Sequence, residues 1–301
     1  MTFSLLYGMP PPSLVDIHRD AVQTSPLMPG AMLLEDIPPG SAKSMTMVVP
    51  PGTIERRYAL AAALQALAPG GSLVALGPKD KGGSRIRKEL EGFGCVVAED
   101  SKSHWRVCRT LLPERLDGID EAIAQGRPRC DAALDLWTQP GIFSWDRIDE
   151  GSALLLEALP PLAGHGADLG CGLGLLTRTV LGHDCVTAIE AVELDARALA
   201  AARRNVADTR AHFHWLDVRA GLPFSGLDFV VMNPPFHSGG ADDVALGRAF
   251  LQQARKALRP GGVLWMVANR HLPYEAELAA LFSKVEPVKE SARFKVVRAT
   301  A

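Results

Sequence analysis

Four short segments of this chain hold the residues whose types and spacing fit ligand binding or catalysis. The first, Asp168-Leu169-Gly170-Cys171-Gly172-Leu173-Gly174, follows an apolar strand pattern and opens a helical one. Glycines there let the main chain approach a ligand, and the helix start offers N–H groups without intrahelical partners. NAD enzymes, flavoproteins and methyltransferases share this pattern, and plain tight turns also carry it. Glu193 comes 19 residues after Gly174, at the end of the next strand pattern. A carboxylate in that position can accept from both hydroxyls of a nucleoside ribose. The competing reading is a charge at a helix start, and for the neighbouring Asp195 that capping role is preferred. Asp217 ends a third strand pattern, where it either takes the exocyclic amine of adenine or stands as an exposed loop acid.

The most specific segment is Asn233-Pro234-Pro235-Phe236, directly after the apolar run Phe229-Val230-Val231-Met232. Two prolines after a strand remove ladder donors and force a stiff, extended exit. The Asn233 side-chain oxygen and the Pro234 carbonyl can both accept from one NH₂ group. Phe236 offers a face on which a base stacks, worth about 1–3 kcal/mol. A ring-conjugated amine is a poor nucleophile, so two acceptors that pin its hydrogens and aim its lone pair make positioning the source of rate. A proline-rich turn with a packed Phe is the bland alternative, weakened by the three motifs upstream.

Such residues need a rigid frame, and the pattern around them supplies one. Strand signals at 166–169, 191–193, 212–216, 227–232 and 263–268 alternate with helical ones at 173–181, 196–206, 244–258 and 275–282. Regular β/α alternation predicts a doubly wound, mainly parallel sheet. The N-terminal part has a shorter series: helix over 54–67, strand over 72–76, helix over 84–91 and strand over 95–99. Three segments there match later ones in the same order. Ala66-Leu67-Ala68-Pro69-Gly70-Gly71 resembles Ala257-Leu258-Arg259-Pro260-Gly261-Gly262, and Trp105-Arg106-Val107-Cys108-Arg109 resembles Phe294-Lys295-Val296-Val297-Arg298. Val48-Val49-Pro50-Pro51 aligns with Met232-Asn233-Pro234-Pro235. The N-terminal part therefore reads as a decayed copy of the C-terminal part, with Val49 where Asn233 stands and no glycine loop before it. Little before Met45 resembles a complete first half-sheet. Domains are expected at 1–112 and 141–301, joined by a Pro- and Gly-punctuated linker over 113–140.

Composition narrows the class. The chain has 301 residues, 47% hydrophobic and 22% charged, which excludes disordered and fibrous proteins. Charged residues interrupt every apolar stretch well before the roughly 18 residues a membrane helix needs. The start, with Pro10 to Pro12 and no basic flank, makes a poor signal peptide. Five scattered cysteines lack the spacing of a zinc site or disulfide frame, so no metal and a reduced cytoplasmic location are expected. A net charge of −2 argues against indiscriminate nucleic-acid binding but leaves room for a local basic face. Lys79, Lys81, Arg85, Arg87 and Lys88 are one such cluster, read as RNA-gripping or as a solvated helix face. Arg293, Lys295 and Arg298 are another.

The order D-x-G-x-G-x-G, acidic strand end, Asp, N-P-P-F resembles class I S-adenosylmethionine-dependent methyltransferases that act on base amines. More narrowly, the chain resembles the bacterial ribosomal RNA guanine-N2 methyltransferases of the small-subunit type. Gly141-Ile142-Phe143-Ser144, Asp149-Glu150-Gly151-Ser152, the Asp168 loop, Asn233-Pro234-Pro235-Phe236-His237, Val267-Ala268-Asn269 and Arg293-Phe294-Lys295-Val296 carry that resemblance, with Trp145 where the family often has arginine. It implies a Rossmann-like seven-stranded C-terminal domain and a degenerate N-terminal copy that helps hold substrate. It also implies that Asp168, Gly170 and Gly172 line the methionine part of S-adenosyl-L-methionine, that Glu193 holds ribose and Asp217 adenine, and that Phe143 and Ser144 close over the cofactor. Asn233 and Pro234 would then hold the guanine amine under Phe236, with Pro235 and His237 alongside the substrate. The implied partner is ribosomal RNA or the small ribosomal subunit. Other acceptors (a large-subunit guanine, adenine, a protein glutamine, a small molecule) keep the fold. An NAD-dependent oxidoreductase gives the Asn-Pro-Pro-Phe segment no task, and a non-catalytic RNA-binding factor leaves the C-terminal motifs unexplained.

Overall fold

A computed structural model describes residues 3–235, 237–238, 241–242 and 244–301. The chain divides into two compact units, Met1–Arg129 with Gln139–Gly141, and Cys130–Thr138 with Ile142–Ala301. Among the described residues no helix is long and apolar enough to cross a membrane.

The first unit runs β1 (Phe3–Tyr7), β2 (Val22–Thr24), β3 (Ala42–Val48), α1 (Thr53–Ala66), β4 (Leu67–Pro78), α2 (Ile86–Gly92), β5 (Ala98–Lys102), β6 (Trp105–Leu111) and α3 (Ile119–Gly126). Its sheet has the order β2-β1-β3-β4-β6-β5, parallel except where β6 meets β4 and β5. The second unit runs β7 (Arg129–Asp131), β8 (Leu136–Thr138), α4 (Glu150–Ala158), β9 (Gly164–Leu169), α5 (Leu175–Leu181), β10 (Val186–Glu193), α6 (Ala196–Asn205) and β11 (Ala211–Trp215). It continues with β12 (Leu227–Met232), β13 (His237–Ser238), β14 (Ala241–Asp242), α7 (Val244–Ala257), β15 (Leu258–Asn269), α8 (Glu275–Leu281), β16 (Lys284–Glu290) and β17 (Phe294–Thr300). Its seven-stranded sheet has the order β11-β10-β9-β12-β15-β17-β16, and only β17 runs against its neighbours. This is the mainly parallel sheet the alternation predicts.

The internal repeat is visible in the ladders. Leaving out β11, the two sheets have the same strand order and the same directions. In both, the pairing jumps at the Pro-Gly-Gly segment: Ala42 pairs with Leu67 and Ser44 with Ser72, just as Leu227 pairs with Leu258 and Phe229 with Val263. Gly70 and Gly261 adopt φ of +77° and +79°, a left-handed turn that other residues resist. Counted from that shared bulge, Val48 rather than Val49 stands level with Asn233, a one-residue correction that leaves an apolar side chain there. The first half-sheet is also more complete than the sequence suggests. Strands β1 and β2 lie before Met45, but five and three residues are too few for a period-two pattern to stand out.

The stretch expected as a linker is largely structured. Helix α3 buries Ile119 and Ala122 in the first unit's core. Strands β7 and β8 pair as a ribbon. Asn205 on α6 fastens β8 by accepting from the Trp137 N–H at 2.6 Å and donating to its carbonyl at 3.0 Å. The prolines and glycines of this stretch do mark turns, but short apolar runs between them dock onto cores. A second difference is the β5–β6 hairpin, displaced from the expected strand at 95–99. Its turn places Ser103 and His104 at positive φ without the glycine or asparagine that would announce it.

Each central strand of the second unit is buried on both faces. Phe229 and Val231 pack with Leu155 of α4 and Leu176 and Val180 of α5. Val230 and Met232 pack with Phe250, Leu251 and Ala254 of α7. Leu155 is wholly buried and ties α4 to the sheet. Truncating it (Leu155→Ala) should cost about 2–5 kcal/mol. The shift of the urea midpoint measures this, and an unchanged midpoint would show that α4 packs loosely.

Candidate active site

The expected site residues converge because of strand alternation and register. Asp168 pairs with Ala191 on one side and Val231 on the other. Glu193, Gly170 and Asn233, each two residues further on, thus stand level at the C-terminal ends of β10, β9 and β12. Successive side chains alternate faces. Asp168, Glu193 and Asn233 therefore share the face of Val231, which carries α4 and α5.

The glycine segment turns sharply between β9 and α5, with Gly170, Gly172 and Gly174 at φ of +77°, +54° and +81°. Among the described residues a Cβ on Gly172 would meet nothing within 4 Å, so the main chain there faces open space. Beneath the loop Asp168 is wholly buried. Its Oδ2 accepts from the Thr177 N–H at 3.1 Å and the Thr177 hydroxyl at 2.7 Å, while Oδ1 has no hydrogen-bond partner among the described residues. Burial raises its pKa to about 7, against the pull of the two Thr177 donors. Glu193 closes the other side of the loop. Its carboxylate accepts from the N–H groups of Gly172, Leu194 and Asp195 at 2.9, 2.7 and 2.9 Å. Burial pushes its pKa up, and those three donors oppose the shift. Asp195 caps α6 by accepting from the Arg197 N–H, as expected.

Asn233 leaves β12 toward the start of α4. Its Nδ2 donates to Asp149 Oδ2 at 2.8 Å and to Ser152 Oγ at 2.9 Å. The same Asp149 oxygen caps α4, accepting from the Ser152 N–H at 2.8 Å. These residues open onto one cleft. Gly170, Gly172 and Asn233 line it, and Phe143 and Ser144 form another part of its wall. Phe143 is 68% exposed and Ser144 sits at φ +53°, so an apolar ring is held outward at the rim.

Other expected residues lie differently. Asp217 caps the short 3₁₀ turn Val218–Ala220, and both its oxygens accept from Arg219, which holds its pKa below the usual carboxylate range. Asp168, Glu193 and Asp217 are not among the residues that line the cleft. Pro234 is buried and Pro235 exposed. Phe236 lies outside the described residues, and His237 is described only as backbone in β13. The second basic cluster is partly consumed inside the fold. Lys295 is buried, with Nζ donating to the Leu272 carbonyl at 3.1 Å and to Glu275. Arg293 pairs with Glu150, and Arg298 with Glu286. In the first cluster Lys81, Arg85 and Lys88 are exposed, and Arg87 pairs with Glu91.

Asp149 and Ser152, which the sequence marks only through the family resemblance, touch Asn233. The signal available was a helix start: Asp149, three residues before Ser152, precedes the apolar run Ala153 to Leu156. That pattern announces a cap but not what else the cap holds.

A glycine turn and an acidic strand end on a seven-stranded sheet with one reversed strand, next to an Asn-Pro-Pro corner, define a class I S-adenosylmethionine-dependent methyltransferase. Residues 133–298 match the methyltransferase small domain family. Ribosomal RNA small subunit methyltransferase C of Pseudomonas paraeruginosa is 33% identical over 286 residues, covering 93% of this chain and 86% of that protein. Its counterpart from Shewanella loihica is 31% identical, covering 79% and 71%. A solved structure of the T. thermophilus 16S rRNA N2 G1207 methyltransferase, in complex with AdoMet and guanosine, aligns with a TM-score of 0.80 at 26% identity, covering all of this chain and 88% of that one. The chain belongs to the ribosomal RNA small subunit methyltransferase C family.

The buried Asp168 makes a pH prediction. Its folded pKa lies above the ordinary carboxylate value, so its contribution to stability is complete below that value and is lost as pH rises toward about 7. Without cofactor, Asp168→Asn should gain melting temperature relative to wild type between pH 5 and pH 8. Calorimetry at the two pH values checks this, and a constant gap would show that ionising Asp168 costs the fold nothing.

Proposed function

We propose that the chain transfers a methyl group from S-adenosyl-L-methionine to the exocyclic N2 amine of a guanine in 16S ribosomal RNA, as naked RNA or within the small subunit. The observation that carries this reading is the opening of the Asn233 corner and the glycine turn into one cleft. The guanosine named with the T. thermophilus relative favours guanine over adenine or a protein glutamine. A ribosomal substrate fits a reaction in the cytoplasm.

The residues fit the cofactor. Asp168 Oδ1, buried and without a partner among the described residues, is an acceptor suited to the ammonium of its methionine part, and the main chain at Gly172 leaves room for close approach. A carboxylate has about four acceptor sites. Three of Glu193's take main-chain N–H groups, so one remains for ribose. Asp217 takes the adenine amine from its place at the end of β11, sharing its carboxylate with Arg219. Phe143 and Ser144 cover the cofactor from the rim.

When bound, S-adenosyl-L-methionine supplies a methyl group on a sulfonium, which the guanine amine takes while its excess proton passes to water. The protein's part is to hold the amine. Asn233 Oδ1 and the Pro234 carbonyl accept its two hydrogens, which turns its lone pair toward the cofactor side of the cleft. Phe236 stacks on the base, with Pro235 and His237 bordering it. None of these groups takes the proton, so the rate comes from orientation.

The test is deletion of the gene, with mapping of N2-methylguanine across 16S ribosomal RNA and complementation. Deletion should abolish methylation at one guanine, and wild type should restore it. Purified Asn233→Ala should lose about 100-fold in kcat with little change in cofactor affinity. Unaltered methylation in the deletion strain, or an Asn233→Ala enzyme at wild-type rate, overturns the proposal.

A further inference from the structure

We infer that Asp149, at the start of α4, is a positioning residue that fixes which end of the Asn233 carboxamide faces the substrate. The inference rests on the proposed role of Asn233 as acceptor. A carboxamide presents nearly the same shape when turned by 180°, but the turn exchanges an acceptor for a two-hydrogen donor. With the nitrogen toward a guanine amine, two donors would face each other and the amine would be expelled. The protein therefore needs a device that tells the two ends of Asn233 apart.

Two acceptors provide it. Asp149 Oδ2 and Ser152 Oγ take both hydrogens of Nδ2, at 2.8 and 2.9 Å. The turned amide would set Oδ1 against the Asp149 carboxylate, oxygen to oxygen, with both hydrogen bonds to Nδ2 lost. Hydrogen bonds to an ionised acceptor are about twice as strong as neutral ones, so Asp149 dominates the choice. Asp149 is itself immobilised, because the same Oδ2 accepts from the Ser152 N–H, and the positive end of the α4 dipole favours its charge. Helix α4 is in turn held to the sheet through Leu155. Orientation of the reacting corner thus derives from a helix cap, and Oδ1 is left on the side away from α4.

Capping and positioning can be separated because serine also caps helices but is too short to reach Asn233. Asp149→Ser should keep the wild-type melting temperature and cofactor affinity while kcat falls about tenfold or more. Asp149→Asn, which preserves both the cap and an acceptor of the right length, should rescue turnover relative to the serine variant. Ser152→Ala removes one of the two acceptors but not the capped N–H, and should lower kcat by less than Asp149→Ser. It provides an independent reading should the serine variant fail to fold. An Asp149→Ser enzyme at wild-type kcat, an asparagine variant as slow as the serine one, or Ser152→Ala at wild-type kcat alongside an unfolded serine variant overturns the inference. If Asn233→Ala is slow while Asp149→Ser is fast, only the tether falls. If Asn233→Ala is itself fast, the acceptor role falls with it.

Discussion

A side chain on a buried parallel strand can point only to one face or the other, and in the second unit that restriction governs everything at the site. Met232 is wholly buried against α7, so the next residue must turn to the α4 side. Asn233 accordingly arrives at the α4 cap, on the same face and at the same level as the glycine turn and Glu193. The prolines that follow prevent the chain from continuing the ladder, and the corner keeps its place. Shifting β12 by one residue would send the amide toward α7 and away from every partner it has.

The first unit shows what the same frame becomes without these side chains. Its strand order, directions and Pro-Gly-Gly bulge are preserved, yet Val48 occupies the level of Asn233. Its Pro-Pro corner is engaged internally: Arg56, buried, donates to the Pro51 carbonyl at 2.7 Å and holds Glu89 through two bonds of 2.8 Å. Breaking such a buried pair leaves an uncompensated charge, so the corner is held shut. The same backbone architecture forms without those polar groups, because the ladder depends on main-chain atoms and apolar alternation alone.

Electrostatics divides the acids of the site into two kinds. Asp217 is stabilised in its charged form by Arg219. Asp168 is held where ionisation is unfavourable, with one oxygen lacking a partner among the described residues. An unsatisfied buried acceptor is a cost that folding alone does not repay, which makes it informative about a ligand. Glu193 lies between these cases, half-buried and supported by three N–H donors that also fix the shape of the glycine turn.

Much of this was legible from residue order. Strand β12 lies at 227–232 as read, the glycine turn and Asn-Pro-Pro corner announce themselves by composition, and the repeat shows through Pro-Gly-Gly. These are local signals, set by φ restrictions and by the two- and 3.6-residue periods. The folded structure alone decided the rest. The sequence could not show that Lys295 is consumed inside the fold, that Asp217 closes on Arg219, or that residues 130–138 belong with the second unit. Nor could it show Asp149 touching Asn233, a partner 84 residues away. Contacts between distant segments depend on how strands stack and which faces the helices cover, and no period in a single segment encodes that.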